Sequence, residues 1–371
     1  MAKKQGFIDI AEDVTYQETI LKGSKTSVYY RKKFLRRQLQ YDRRYHELFG
    51  KLGDEFAKLA SDPLAKFSSS FRFHPSIEKK IAVIMDDFAG RLNAFGENEI
   101  TQVWKLSTSK NDEVVKDYLS TMGKIKAAQS AKYFNPNIPA LKAFIKGNKQ
   151  TPGFSDAVWK IAGQAREEMS IHLGLGIMNG DSNQVISRRI RKYLNDPDAY
   201  FRRVRDKFGK LVASKAMRAN RPGRGVYNSA FKNAARVTRT ETNRAYLTAD
   251  HERWMQLDMV MGVKISLSGS HPAYSFPEIC ETNQGIYPKW FNWAGWHPQC
   301  LCHAVPIMVP QQDFLAYLRS DKPLESKQIK VYPESFKKYL TDNKEKVQKS
   351  TAYWIRDNKR IINGILKKAE K

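Results

Sequence analysis

All three cysteines of the 371-residue chain lie between Cys280 and Cys302, in a stretch that neither a helix nor a long strand could contain. Four prolines and three tryptophans stand between Pro272 and Pro298, and the segment closes with Trp296-His297-Pro298-Gln299-Cys300-Leu301-Cys302-His303. So many turn formers, interleaved with rings too large to leave in water, require a compact, loop-rich Cys/His knot near the C-terminal third. His271, Cys280, His297, Cys300, Cys302 and His303 offer six N or S donors there. A structural zinc takes four in a tetrahedron; Cys280, His297, Cys300 and Cys302 are the favoured set, with His271 as the alternate. Two such cysteines on an extended strand point to opposite faces, so Cys300 and Cys302 ligate together only where the chain turns between them. The paired Cys-x-x-Cys spacing is absent. Buried reduced thiols acting as small hydrophobes and a redox-sensitive pair stay open beside zinc. Three clustered cysteines in so long a chain do not make a disulfide framework.

Three pieces of sequence, in order, are similar to one known family. A strand-like run from Gly262 to Leu267 is followed by His271-Pro272, by Cys280 with Gly285 five residues on, and by His297-Pro298-x-Cys300-x-Cys302. Upstream lie Arg236-Val237-Thr238-Arg239-Thr240-Glu241-Thr242-Asn243-Arg244-Ala245-Tyr246 and the turn Gly176-Ile177-Met178-Asn179-Gly180-Asp181-Ser182. Together they resemble the C-terminal signature, the Arg-Thr-Glu helix and the short pre-helix turn of the phage Mu F-like minor head proteins, over residues 155 to 310. The resemblance implies a head-morphogenesis protein of the virion, present in the host cytoplasm during assembly. It further implies association with the portal or other capsid proteins, contact with packaged double-stranded DNA without sequence preference, and a role in head assembly or genome ejection. It implies no enzymatic activity.

The charge balance fits an acidic partner. Lys and Arg number 64 against 38 Asp and Glu, for a formal charge of +26 and a pI near 9.8, so much of the positive surface lacks internal counter-charge. No apolar run approaches the roughly 18 residues that span a bilayer, which argues against a membrane partner. Met1-Ala2-Lys3-Lys4-Gln5-Gly6 lacks the apolar core of a secretory signal, and a reducing cytoplasm is expected.

Along the chain, residues 1–26 read as a flexible arm, 27–150 as a helical N-terminal domain, 151–310 as the Mu F-like domain and 311–371 as a helical extension. Val28, Phe34, Leu35, Leu39, Leu48, Phe49, Leu52, Phe56 and Leu59 recur at helical spacing to Ser61-Asp62-Pro63, with Arg31, Lys32, Lys33, Arg36, Arg37, Arg43 and Arg44 on a basic opposite face. A second helix starts at His74-Pro75-Ser76. A third runs from Phe154 to Leu173 and breaks at Gly174, Gly176 and Gly180, before a basic helix capped by Asp181 or Ser182. Between Arg202 and Arg224, nine cations (Arg202, Arg203, Arg205, Lys207, Lys210, Lys215, Arg218, Arg221 and Arg224) face only Asp206, which suits phosphate contacts that read no bases. Tyr227 to Leu257 forms a long helix on which Glu241 shares a stripe with small apolar residues, so its carboxylate needs a partner from Arg239, Arg244 or a neighbouring helix.

Strands follow at Val260–Leu267, Gly285–Tyr287 and Ala304–Val309, with an edge strand at Gln328–Val331 and two basic helices at the end. The fold class is α+β, mostly α-helical: long helices with a small antiparallel sheet and the knot.

Two other functions are weighed. An enzymatic effector, nuclease or ADP-ribosyltransferase-like, would use Glu241 or Ser107-Thr108-Ser109, but Glu97-Asn98-Glu99 lies on the wrong side of the latter and no second acid accompanies Glu241. A nucleic-acid-binding protein outside the virion would explain the charge but not the order of the motifs.

Overall fold

The stripe that begins at Val28 folds as one 35-residue helix, α1 (Lys25–Leu59), in a computed structural model of the chain. The structure describes residues 25–65, 73–120, 131–147, 153–195, 203–213, 229–268, 271, 278–320 and 324–369; the arm expected over residues 1–26 falls outside them except for its last two residues. The remaining helices are α2 (Pro75–Ser120), α3 (Ile138–Lys146), α4 (Phe154–Met178), α5 (Asn183–Asn195), α6 (Ala230–Gln256), α7 (Ile279–Thr282), α8 (Gln311–Ser320), α9 (Glu334–Asp342), α10 (Lys344–Lys349), α11 (Tyr353–Asp357) and α12 (Lys359–Ala369). Strands β1 (Arg203–Arg205) and β2 (Leu211–Ala213) make a hairpin. β3 (Val260–Ser266), β4 (Gly285–Pro288) and β5 (His303–Met308) make an antiparallel sheet in the order β4-β3-β5. This is the expected mostly helical α+β architecture. No described helix is long and apolar enough to cross a membrane.

The chain divides into two compact units built from separated stretches: residues 1–39, 99–144 and 240–371 in one, and 40–98 and 145–239 in the other. Helices α1, α2 and α6 each supply residues to both.

Among the described residues, the second unit is helical apart from the β1–β2 hairpin. Tyr45, Phe49 and Phe56 of α1, Ile81 and Phe88 of α2, and Val158, Ala165 and Met169 of α4 are buried. Phe49 meets Phe88 and Phe231 edge to face, at 5.0 and 5.5 Å between centroids, the arrangement favoured by ring quadrupoles. α4 does not break at Gly174 and Gly176 but runs on to Met178. Ile186 of α5 occupies the place a Cβ on Gly176 would take, so this glycine serves helix packing and the turn comes later, at Gly180. Ser182 Oγ then accepts the Val185 amide of α5. At the centre of α4, Glu168 is fully buried and accepts from Tyr193 Oη, the Ala230 amide (2.8 Å) and Gln164 Nε2 (3.0 Å). Burial outweighs those donors and pushes its carboxyl up to about 7.

In the first unit, β3 is central, pairing Val263 with Tyr287 of β4 and with Pro306 of β5. β5 lies against α6, where Tyr246, Leu247 and Asp250 share a small cavity with His303, Ala304 and Val305. Asp250, 1 % exposed, accepts from Ser107 (2.5 Å), Lys110 (2.5 Å) and Asn111 (2.7 Å) of α2. Three donors on one buried carboxylate meet the demand that such a charge be fully paired.

Three local expectations change. No strand forms at Gln328–Val331: the Ile329 amide makes a single bond to the Met261 carbonyl (3.0 Å). The terminal helices divide into four, α9 to α12; at the last break Asn358, between α11 and α12, turns its side chain onto the Asn292 backbone, accepting its N–H (2.9 Å) and donating to its carbonyl (2.7 Å). Arg31 belongs to the core rather than the basic face of α1, at 4 % exposure.

Two outcomes follow. Asp250→Ala strands the Lys110 ammonium in the core and should cost about 3–5 kcal/mol, read by urea unfolding at neutral pH. An acid whose pKa rises on folding stabilises fully below its ordinary value, 4.5 for Glu168, and loses that contribution as pH climbs through about 7. Relative to Glu168→Gln, the wild-type chain should therefore lose stability across that window.

Candidate metal centre

The three cysteines reach one point from two loops. Cys280 sits on α7, whose first turn is closed by a capping box between Glu278 and Glu281, with the Glu278 amide bonded to Glu281 Oε2 (3.2 Å). Cys300 and Cys302 come just before β5, which begins at His303. The strand geometry that would separate them is therefore not in force. Instead the Cys300 amide closes a turn onto the His297 carbonyl (3.1 Å), and Gln299 takes a left-handed φ of 61°. Gly295, at φ 100°, lets the Cys300 Cβ and Tyr353 Oη approach to 3.2 and 3.3 Å of where its own Cβ would stand. All three sulfurs lie within 4.8 Å of one another, buried to 2 % exposure or less. Cys280 and Cys300 Sγ are 3.7 Å apart and all three thiols are free.

His297 brings a fourth donor to the edge of the group, with Nε2 3.0 Å from Cys280 Sγ. Its Nδ1 lies 2.8 Å from the Pro298 carbonyl. A carbonyl oxygen only accepts, so Nδ1 carries the proton and the Nε2 lone pair faces the sulfur. His271, the alternate, stands instead 3.7 Å from Glu281 Oε1. His303 is buried on β5, beside the cavity it shares with Arg31 and Lys110.

Crowding decides which thiol ionises. S–H groups of Cys280 and Cys302 directed at Cys300 hold the Cys300 thiol well below its ordinary range, while that of Cys280 is driven up. Three thiolates this close together need a positive centre among them. A buried set of three sulfurs can hold a metal ion.

Four side chains from distant elements fix the backbone around this turn. Thr240 Oγ1 accepts from the Gln299 amide (3.1 Å), Asn243 Nδ2 donates to the Cys300 carbonyl (2.8 Å), Arg31 Nη2 donates to the Leu301 carbonyl (2.5 Å), and Tyr353 Oη donates to the His297 carbonyl (2.9 Å). Thr240 and Asn243 stand three residues apart on α6 and so share a face. The sequence places Thr240 and Asn243 in the Arg-Thr-Glu stretch and Arg31 on a basic helix face without pointing to this role. For Thr240 and Asn243 a signal existed, two hydrogen-bonding side chains at i, i+3 among small residues; for Arg31 and Tyr353 none did.

Arg239 and Glu241 serve different partners. Arg239 pairs with Asp42 of α1 (2.6 Å). Glu241 pairs with Arg244 one turn on (2.7 Å), its side chain 22 % exposed, so the expected partnership with Arg244 forms but the carboxylate sits at the edge of the core rather than inside it. The Arg244 guanidinium lies over the Tyr353 ring, 4.6 Å from its centroid. Ser107 is fully buried in the Asp250 network.

Of the basic stretch, Arg203, Arg205, Lys207 and Lys210 belong to the β1–β2 hairpin and its turn; Arg202, Lys215, Arg218, Arg221 and Arg224 lie outside the described residues. Phe208 stands 81 % exposed at the hairpin tip. The turn signature Asp206-x-x-Gly209 between Arg203-Val204-Arg205 and Leu211-Val212-Ala213 could have revealed it.

Asn243→Leu keeps the branched shape but leaves the Cys300 carbonyl unanswered, at about 1–3 kcal/mol. It should also raise the rate at which the three thiols react with Ellman's reagent in native buffer, whereas the wild-type thiols should stay shielded until unfolding. No protein-family model, curated protein or solved structure matches the chain.

Proposed function

We propose that the protein is a minor head protein of the Mu F-like kind, carried in the virion of a tailed phage, where it meets the portal or other capsid proteins and contacts packaged duplex DNA. One observation carries this reading. The two longest stretches of the resemblance, the Arg-Thr-Glu-Thr-Asn helix and the His-Pro-x-Cys-x-Cys loop, bond to each other through Thr240 and Asn243. Residues that lie far apart in sequence and cooperate in space make a single module, which is what a shared signature would preserve. The formal charge of +26 supports the DNA contact.

Within that module the donor chemistry favours zinc, held by Cys280, Cys300 and Cys302 with His297 as the fourth ligand. Thiolate and imidazole donors in a buried, closed set are the ligands of structural rather than catalytic zinc, and the Pro298 carbonyl orients His297 as second-shell groups do. A structural role is further favoured by the pairing of Glu241 with Arg244, which leaves that carboxylate a scaffold partner rather than an acid or base.

Purified particles of the encoding phage should contain the protein at low copy number relative to the major capsid protein, read by quantitative mass spectrometry; its absence from particles would end the reading. Protein prepared without chelators should carry about one zinc per chain. Removing the metal should expose three titratable thiols.

A further inference from the structure

The β1–β2 hairpin carries an apolar ring where a solvent-facing turn has no use for one. Its sequence fixes this geometry. Asp206 Oδ1 accepts the amides of Phe208 (2.9 Å) and Lys210 (3.0 Å), the Gly209 amide bonds to the Asp206 carbonyl (3.0 Å), and the Asp206 amide bonds to the Lys210 carbonyl (2.9 Å). Gly209 takes the left-handed φ of 77° that closes such a loop. Lys207 and Phe208 are thereby forced to the apex. Phe208 is 81 % exposed, with Lys207 Nζ 4.9 Å from its ring centroid. The one acid of the loop is consumed in tying the turn, so the outward charge comes from Lys207, Lys210 and Arg205, whose Nη1 also donates to the Gly209 carbonyl (2.7 Å).

An exposed ring ringed by cations calls for a polyanion with flat apolar surfaces inside it. Duplex DNA is such a partner: apolar side chains entering its minor groove wedge between base steps while cations hold the phosphates. A lipid surface fits less well. Arg205 pairs across the ribbon with Leu211, and Val204 with Val212, so Val204 and Leu211 fall on opposite faces and no apolar tip broad enough to enter a bilayer forms. We propose that the hairpin is a DNA-engaging finger in which Phe208 stacks against or between base pairs while Arg205, Lys207 and Lys210 grip the flanking phosphates. The finger rests on the DNA contact proposed above and adds to it a specific wedge.

The test uses the full chain and a duplex with 2-aminopurine at internal positions, whose fluorescence rises when its stacking is disturbed. The wild-type protein should bind with an affinity that falls steeply with salt and should raise the fluorescence. Phe208→Ala, which removes a solvent-exposed ring and so leaves the fold intact, should abolish the rise and weaken binding by about fivefold or more, with the salt slope unchanged. Lys207→Ala/Lys210→Ala should lower that slope by about 2 and keep the fluorescence rise at saturation. An equal rise with Phe208→Ala would overturn the wedge and leave the DNA contact standing. No binding of the duplex by the wild-type chain would overturn both, and Phe208-dependent binding to phosphatidylserine vesicles in place of the duplex would overturn the choice of partner.

Discussion

The hydrogen bonds from Thr240 and Asn243 to the turn at Gln299 and Cys300 are the constraint on which the C-terminal third depends. A buried loop cannot leave its backbone groups unanswered, and residues 297–302 have no strand neighbour to answer them. Side chains do so instead, from α6, α1 and α11. Each bond is worth only about 0.5–1.5 kcal/mol net, less than the ~1–2 kcal/mol that ordering each residue costs, so the bonds set the geometry while other terms supply the stability. Trp296 and Phe291, packed against Phe336 at 6.0 and 5.4 Å, give the apolar share. A metal among the three sulfurs would give the rest. The C-terminal helices are thus part of the knot: Tyr353 holds the His297 carbonyl, and Trp354 meets Trp296 edge to face at 5.3 Å.

The basic composition divides into two populations with different consequences. Arg31, Lys110, Arg239 and Arg253 are buried to 8 % exposure or less; they answer carbonyls or carboxylates and are structural. Arg253, for example, donates to Asp112 (2.8 Å) and to the Tyr133 carbonyl (2.5 Å). Arg205, Lys207 and Lys210 are exposed on the hairpin and remain for a partner. A formal charge therefore overstates the binding surface.

What could be read in the sequence was what repeats locally. Apolar spacing gave α1 and α6 nearly to their ends, the start of α2 and α4 as far as Leu173, and alternation bounded by turn formers gave β3, β4 and β5. The meeting of Cys280 with Cys300 and Cys302 was legible as a list of donors but not as a geometry, because the turn at Gln299 depends on what α6 offers to hold it. Arg31 looked like a surface cation because its helix neighbours are basic; only the loop carbonyl it serves, 270 residues away, explains its burial. The division at Asn358 was hidden for the same reason, since its partner is the backbone of Asn292. The hairpin differs, since its turn signature, Asp206-x-x-Gly209, needs no tertiary information and lies among dense charge.

X-ray absorption spectroscopy of protein purified without chelators tests the central claim most directly, because it counts the ligands themselves. The account predicts a zinc edge with about three sulfur neighbours near 2.3 Å and one nitrogen near 2.0–2.1 Å, lost when Cys280 is replaced by Ser. A metal-free protein with three reduced thiols, or a metal coordinated only by oxygen and nitrogen, would contradict it.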